Sequence, residues 1–128
     1  MNVVLDATAL LALLQQEPGS QPVARALGDS AISVADLAEV ATKQADLGLD
    51  ASLLVARVEA LSIRPFAVTR VDVATQARIR RLDDGCRLGL SLSDRRCLAL
   101  GLHLEVPVIT TDNVWAELDL PIEVVLIC

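Results

Sequence analysis

The chain has 128 residues, 53% of them hydrophobic and 22% charged, and a formal net charge of −6. This length suits one domain over residues 1–128 with a substantial core, and the hydrophobic fraction excludes a disordered chain. The acidic balance argues against broad nonspecific attraction to nucleic acid, and the apolar N-terminal run is too short and polar for a membrane span or secretory signal, so a cytoplasmic protein without membrane contact is expected.

Short apolar runs alternate with helical patterns along the whole chain. In chain order the patterns predict a strand at 3–5, helices at 8–16 and 21–27, a strand at 31–33, and helices at 34–47 and 50–61. They continue with a strand at 63–66, a helix at 70–86, a helix that Ser93 or Asp94 caps and that ends at 103, a strand at 106–110, a helical turn at 113–117 and a strand at 122–127. This alternation predicts an α/β fold with a central, mostly parallel sheet of four to five strands, covered by helices on both faces.

Four acidic residues fall where strands or helices meet one edge of this sheet. They are Asp6, Glu39, Asp94 and Asp112. Parallel sheets bind ligands at the carboxyl ends of their strands, and the predicted topology brings all four carboxylates to that rim. Carboxylates that gather in one cleft repel one another unless a cation compensates them. A hard divalent metal ion is therefore the expected ligand.

Each carboxylate also has an ordinary structural interpretation. Asp6 could cap the next helix, although Thr8 could do the same. Glu39 could pair with Lys43 one turn later, Asp94 could be a helix cap, and Asp112 a turn residue. Only their predicted meeting at one rim favours a metal site.

Other reactive side chains offer little catalytic chemistry. His103 is the only histidine and lies at a helix end away from the rim, so no histidine-based triad can form. The three cysteines, Cys86, Cys97 and Cys128, form no CxxC pair and are interpreted as buried or incidental thiols. Ten arginines against one lysine include a cluster in the C-terminal half, which suits phosphates or simply a solvated helix face.

Four short motifs resemble those of the PIN domain. They are VVLDATAL at 3–10, DLAEV at 36–40, LSLSDRRCLAL at 90–100 and TTDNVW at 110–115. Their order and spacing cover essentially the whole chain, and the most similar group is the VapC-like toxins of bacterial type II toxin–antitoxin pairs. The resemblance implies a three-layer α/β/α domain.

The resemblance also implies which residues act. Asp6, Glu39, Asp94 and Asp112 match the acidic residues that bind Mg²⁺ or Mn²⁺, and Thr8 and Thr110 match hydroxyl positions that orient ligands or water. Two positions depart from the usual pattern. Asp36 stands where many members have Asn, which adds a fifth negative charge one turn before Glu39, and Ser93 stands where many have Gly.

The implied activity is endoribonuclease cleavage, with one or two metal ions activating a water molecule that attacks an RNA phosphodiester. Arg95, Arg96 and Arg87 are candidates to hold flanking phosphates. The implied partners are a cognate VapB-like antitoxin, which would offer an arginine to the acidic pocket, and a second copy in a homodimer within a toxin–antitoxin hetero-oligomer.

Two other classes of function stay open at this point. A catalytically silent PIN-like module could serve only as an antitoxin-binding or regulatory partner. A receiver-type phosphoacceptor domain also has an acidic rim, but it needs a lysine after a late strand, whereas Lys43 lies in an early helix. Metal-dependent RNA cleavage that EDTA abolishes would separate these classes from a nuclease.

Overall fold

The centre of the molecule is a five-stranded sheet in which every neighbouring pair is parallel. This computed structural model describes residues 2–16, 27–67, 70–82 and 89–127. The strands are β1 (Val3–Leu5), β2 (Ser30–Ser33), β3 (Ile63–Phe66), β4 (Val108–Thr110) and β5 (Val124–Leu126). Their spatial order is β3-β2-β1-β4-β5, which confirms the predicted parallel sheet.

The described residues form five helices, which connect or follow the strands. They are α1 (Ala7–Leu14), α2 (Val34–Asp46), α3 (Ala51–Ala60), α4 (Arg70–Leu82) and α5 (Leu92–Leu104), with short 3₁₀ turns at Leu27–Asp29 and Asn113–Glu117. Gly48, with a φ of +80°, follows α2 and ends it as predicted. None of the helices in the described ranges is both long and apolar enough to cross a bilayer.

A few predicted boundaries were wrong or cannot be compared. The predicted helix at 21–27 lies outside the described residues except for Leu27, and so does the end of the predicted helix at 70–86. The predicted strand at 106–110 begins only at Val108, because Val106 donates its N–H to Gly101 and Pro107 has no N–H to donate. The last strand is likewise shorter than predicted.

The sheet separates two hydrophobic clusters, so the fold has three layers. On one face, Leu5 and Ile32 pack with residues of α1, α2 and α3, such as Leu10 and Val40. On the other face, Val4 and Ala31 pack with residues of α4, α5 and the last 3₁₀ turn, which are Ile79, Leu98 and Trp115. Adjacent strand residues thus face opposite layers, as the alternation of side chains along a strand requires.

Helix α5 approaches β4 closely at Gly101. A Cβ atom at this glycine would lie 2.6 Å from a methyl group of Val108 and 3.0 Å from Ile122. Glycine is therefore needed here because any side chain would come too close to these neighbours. Its backbone conformation is not the reason, since its φ lies outside the left-handed region. This contact sets how α5 crosses the sheet, and the N-terminus of α5 lies at the carboxyl edge of the strands.

Candidate metal centre

The carboxyl edge of the sheet collects the acidic residues that the sequence singled out. Asp6 directly follows β1, and Asp112 comes two residues after β4, the strand beside β1. Helix α2, which carries Glu39, begins directly after β2, and α5, which carries Asp94, returns to the same edge. The strand order reverses direction at β1, and the edge of a parallel sheet at such a point is where ligands bind.

Asp6 is buried and held in place by three hydrogen bonds. Its side chain is 2% exposed. One oxygen, Oδ1, accepts from Thr8 Oγ1 at 2.7 Å and from the Ala9 N–H at 2.8 Å, and the other, Oδ2, accepts from Thr110 Oγ1 at 2.6 Å. Asp6 itself is therefore the N-cap of α1, a position for which Thr8 was the alternative.

The two threonines that donate to Asp6 also accept from the chain that follows β4. The Thr111 N–H donates to Thr8 Oγ1 at 3.1 Å, and the Asp112 N–H donates to Thr110 Oγ1 at 3.0 Å. Asp112 in turn accepts from the Val114 N–H, which caps the following 3₁₀ turn. These bonds join Asp6 and Asp112 through Thr110, so the predicted hydroxyl positions do contact the carboxylates.

Asp36 is the most deeply buried acidic side chain of the rim. It is 1% exposed, and its Oδ1 accepts from the Ala7 N–H at 3.2 Å. Its Oδ2 has no hydrogen-bond partner among the described residues. The pKa of Asp36 is raised to about 8, mainly by burial and also by the negative charges of Asp6, Glu39 and Asp94, while the hydrogen bond from Ala7 acts to lower it.

Burial is also the main reason why the pKa of Asp6 is raised to about 6. Its hydrogen bonds from Thr110, Ala9 and Thr8 favour the ionised form and lower the pKa, while the charge of Asp94 raises it. Asp6, Asp36, Glu39 and Asp94 thus lie close enough to affect one another electrostatically. Gathering these charges costs free energy that a bound cation would offset.

The start of α5 corrects the predicted cap. Ser91, rather than Ser93 or Asp94, is the N-cap: its hydroxyl accepts from the Asp94 N–H at 3.1 Å, and Asp94 Oδ2 accepts from the Ser91 N–H at 2.8 Å. This reciprocal pair is a capping box, which needs an acidic or amide side chain three residues after the cap. The capping box uses one oxygen of Asp94.

A short chain of hydroxyls links this cap to Glu39. Ser91 Oγ and Ser93 Oγ are 3.0 Å apart, and Ser93 Oγ donates to Glu39 Oε2 at 3.4 Å. Each hydroxyl has one proton to donate, and Ser93 gives its proton to Glu39. In the hydrogen bond between the two serines, Ser91 is therefore the donor and Ser93 the acceptor. The position where many PIN domains have glycine therefore carries a side chain that reaches the acidic rim.

The predicted phosphate-binding arginines are only partly placed. Arg95 and Arg96 are half-buried at the start of α5, and their Nε atoms are buried without a hydrogen-bond partner in the ranges that the structure describes. Arg87 lies outside these ranges.

Cys97 is buried beneath the rim, where burial and the charges of Asp36, Asp6 and Asp94 raise the pKa of its thiol. His103 is exposed in the last turn of α5, away from the rim.

The donor atoms of the rim suit a hard divalent cation. The side chains that meet there offer carboxylate and hydroxyl oxygens, the ligands that Mg²⁺ and Mn²⁺ prefer. The buried, unpartnered Oδ2 of Asp36 is the kind of group that a cation compensates. Within the described residues, no three Asp, Glu, His or Cys side chains already stand as a metal-binding group. A bound ion would therefore have to draw the carboxylates closer together.

Comparison with known families identifies this architecture. The sequence model of the PIN domain matches residues 3–120, which is most of the chain. The chain belongs to the PIN domain family. The matched range contains all four acidic positions that the motifs predicted, and the parallel three-layer fold is the one expected of a PIN domain.

Solved structures share the fold of this PIN domain at low sequence identity. VapBC2 from Rickettsia felis, bound to a DNA fragment from its promoter, has a TM-score of 0.78 at 10% identity and covers 100% of both chains. VapBC-1 from nontypeable Haemophilus influenzae has a TM-score of 0.66 at 16% identity over 91% of each chain. FitAcB from Neisseria gonorrhoeae has a TM-score of 0.63 at 23% identity over 96% of each chain. No curated protein matches the sequence significantly.

Two features of the rim were not evident from the sequence. Asp36 stood out as an additional charge but not as a buried acceptor for the Ala7 N–H. Ser93 stood out as a departure from the family but not as a donor to Glu39. The spacing of Asp36 one turn before Glu39 placed both on one helix face, and this was the only signal available for either contact.

Proposed function

We propose that this PIN domain is a Mg²⁺- or Mn²⁺-dependent endoribonuclease and the toxin of a type II toxin–antitoxin pair. The observation that carries the proposal is the position of Asp6, Glu39, Asp94 and Asp112 at the carboxyl edge of the sheet in a PIN-family chain. Carboxylates that gather at one edge offer the oxygen ligands that a divalent ion prefers.

In this proposal Asp6, Glu39, Asp94 and Asp112 hold the metal. When bound, the ion lowers the pKa of a water molecule and neutralises charge on the scissile phosphodiester. Thr8 and Thr110 fix the orientation of the Asp6 carboxylate through their hydrogen bonds, and the capping box fixes Asp94. These hydrogen bonds restrict the orientation of each carboxylate, while the distances between the carboxylates would still have to shorten around the ion.

Arg95 and Arg96 are the proposed contacts for RNA phosphates beside the cleaved bond. Both follow Asp94 directly on α5, and their buried Nε atoms have no hydrogen-bond partner in the described part of the chain. Guanidinium groups suit phosphate oxygens in geometry and charge. They would offset the repulsion that a chain with a net charge of −6 exerts on RNA.

The toxin assignment is supported by the fold. Solved structures of this fold include VapBC2 from Rickettsia felis, VapBC-1 from nontypeable Haemophilus influenzae and a toxin–antitoxin complex from Klebsiella pneumoniae. We therefore propose that the present chain pairs with a small VapB-like antitoxin and that copies of the pair form larger hetero-oligomers containing a toxin homodimer.

The test is cleavage of RNA by the purified protein. We expect cleavage that requires Mg²⁺ or Mn²⁺, that EDTA abolishes, and that falls by at least about 100-fold in Asp6→Asn, because a neutral amide weakens the metal site. Asp46→Asn is the matched control, since Asp46 is exposed at the end of α2 and should leave cleavage unchanged. Undiminished cleavage by Asp6→Asn would refute the assignment.

A second candidate is a catalytically silent PIN module that only binds an antitoxin. It is favoured by one observation, the lack of a ready-made group of three metal-binding side chains in the described residues. The same experiment separates the two candidates, because a silent module would form the antitoxin complex and cleave no RNA at any Mg²⁺ or Mn²⁺ concentration.

A further inference from the structure

Asp36 makes one contact that joins two parts of the acidic rim. Its Oδ1 accepts from the N–H of Ala7, 29 residues earlier in the chain. Ala7 is the first residue of α1 and directly follows Asp6, whereas Asp36 lies in the first turn of α2, one turn before Glu39. This hydrogen bond therefore connects the backbone that carries Asp6 to the helix that carries Glu39.

The same side chain adds little to stability by other means. It is 1% exposed, its Oδ2 is buried without a partner among the described residues, and its charge is repelled by Asp6, Glu39 and Asp94. Burying a carboxylate under these conditions costs free energy. The contribution of Asp36 must then come from the bond to Ala7, which also satisfies an N–H that the start of α1 leaves without an intrahelical partner.

We propose that Asp36 is a positioning residue for the metal centre, acting through its hydrogen bond to Ala7. The bond fixes the first turn of α1 against the first turn of α2, and so fixes Asp6 relative to Glu39. The inference rests on the proposed role of the acidic rim and extends it to a residue outside the four acidic ligands. For this positioning role Asp36 needs an acceptor oxygen for the Ala7 N–H, which an amide oxygen can also supply.

The test measures Mn²⁺ affinity by calorimetry on the full metal-free chain, with folding of each variant checked by circular dichroism. Asp36→Asn keeps an acceptor oxygen for Ala7 and should bind Mn²⁺ within about 3-fold of the wild type. Asp36→Leu removes the acceptor and should weaken binding by about 10- to 100-fold, the usual cost of losing a group that orients metal ligands. Asp46→Leu on the exposed end of α2 is the control and should bind normally.

A second variant removes the acceptor without putting a larger apolar group in its place. Asp36→Ala takes away both carboxylate oxygens and leaves a small side chain in the first turn of α2. We expect the same loss of about 10-fold or more in Mn²⁺ affinity. This variant decides the question if Asp36→Leu does not fold.

Three results would overturn the inference. Normal Mn²⁺ binding by folded Asp36→Leu or by folded Asp36→Ala would show that the bond does not position the ligands. Equal losses in Asp36→Asn and Asp36→Leu would show that the charge, not the acceptor, is what matters. If the wild type bound no Mn²⁺, the proposed metal centre would fail together with this inference, whereas the first two results leave that centre intact.

Discussion

Asp6 and Asp36 are carboxyl groups in surroundings that disfavour their ionised form. Burial raises the pKa of Asp6 to about 6 and that of Asp36 to about 8, from an ordinary value near 3.8. The metal-free folded state therefore binds protons more tightly than the unfolded state at both sites. Proton binding at these two sites therefore stabilises the folded state. This contribution is fully present at pH values below the pKa of the unfolded chain, and it is lost as the pH rises through the pKa values of the folded state.

The first prediction concerns the pH dependence of stability. For metal-free protein in EDTA, we expect the free energy of unfolding to fall between about pH 4 and pH 8, by at least about 2 kcal/mol, since one pKa unit corresponds to about 1.4 kcal/mol. Asp36→Asn removes the buried charge, so at pH 8 it should be more stable than the wild type by about 1 to 3 kcal/mol. Urea unfolding at several pH values measures both, and a wild-type stability that rises over this interval would contradict the assignment.

At the level of single residues, the sequence predicted the location of the acidic residues better than their contacts. Motif spacing singled out Asp6, Glu39, Asp94 and Asp112, and the strand and helix ends predicted that they lie at one edge. The sequence could not reveal that Ser91 caps α5, because Ser91, Ser93 and Asp94 are all acceptable caps. The choice among them depends on where the backbone enters the helix. Burial of Asp36 depends on how α2 packs against α1, which is a tertiary property.

At the level of elements, the approach of α5 to β4 determines where Asp94 lies. Gly101 permits this approach, since a Cβ there would meet Val108 at 2.6 Å. Contacts of this kind connect core packing to the rim, because a shift of α5 also moves its N-terminal capping box and the hydroxyl that reaches Glu39.

We predict that Gly101→Ala lowers the free energy of unfolding by about 1 to 3 kcal/mol through overpacking. The matched control is Gly28→Ala, where no atom lies within 4 Å of the added Cβ and φ is not left-handed. That control should be neutral or stabilise by up to about 1 kcal/mol. Equal stability of both variants in chemical denaturation would contradict the close packing of α5 on β4.

Strand positions were predictable from short apolar runs, whereas strand ends were less so. The run at 106–109 is apolar throughout, but the structure leaves Val106 and Pro107 outside β4, because Val106 donates its N–H to Gly101 and Pro107 has no N–H. Hydrophobicity reports burial, and residues before a strand can be buried without joining the sheet.

At the level of the whole molecule, apolar surface lies beside the turn between α2 and α3. Leu47 and Leu49 in this turn are 65% and 52% exposed, and Leu53 in the first turn of α3 is 66% exposed. Exposed leucines in one part of a surface are typical of a site that a partner covers. In the proposed toxin–antitoxin pair, this is a candidate contact for the antitoxin.

The corresponding prediction is that Leu53→Lys weakens binding to the protein encoded by the neighbouring reading frame by about 10-fold or more, as loss of an apolar anchor does. RNA cleavage by the isolated domain should not change, because Leu53 is not at the acidic rim. Val73→Lys is the matched control, since Val73 is 63% exposed on α4. Antitoxin titrations followed by calorimetry would contradict the assignment if both variants bound like the wild type.

The proposed function requires a divalent metal ion at the carboxyl edge of the sheet. The most direct measurement is an anomalous difference map from a crystal grown with Mn²⁺. We predict a peak among Asp6, Glu39, Asp94 and Asp112, within ligating distance of Asp6 and at least one other of these carboxylates. A well-ordered rim without such a peak, or a Mn²⁺ ion bound only at another surface, would contradict the account.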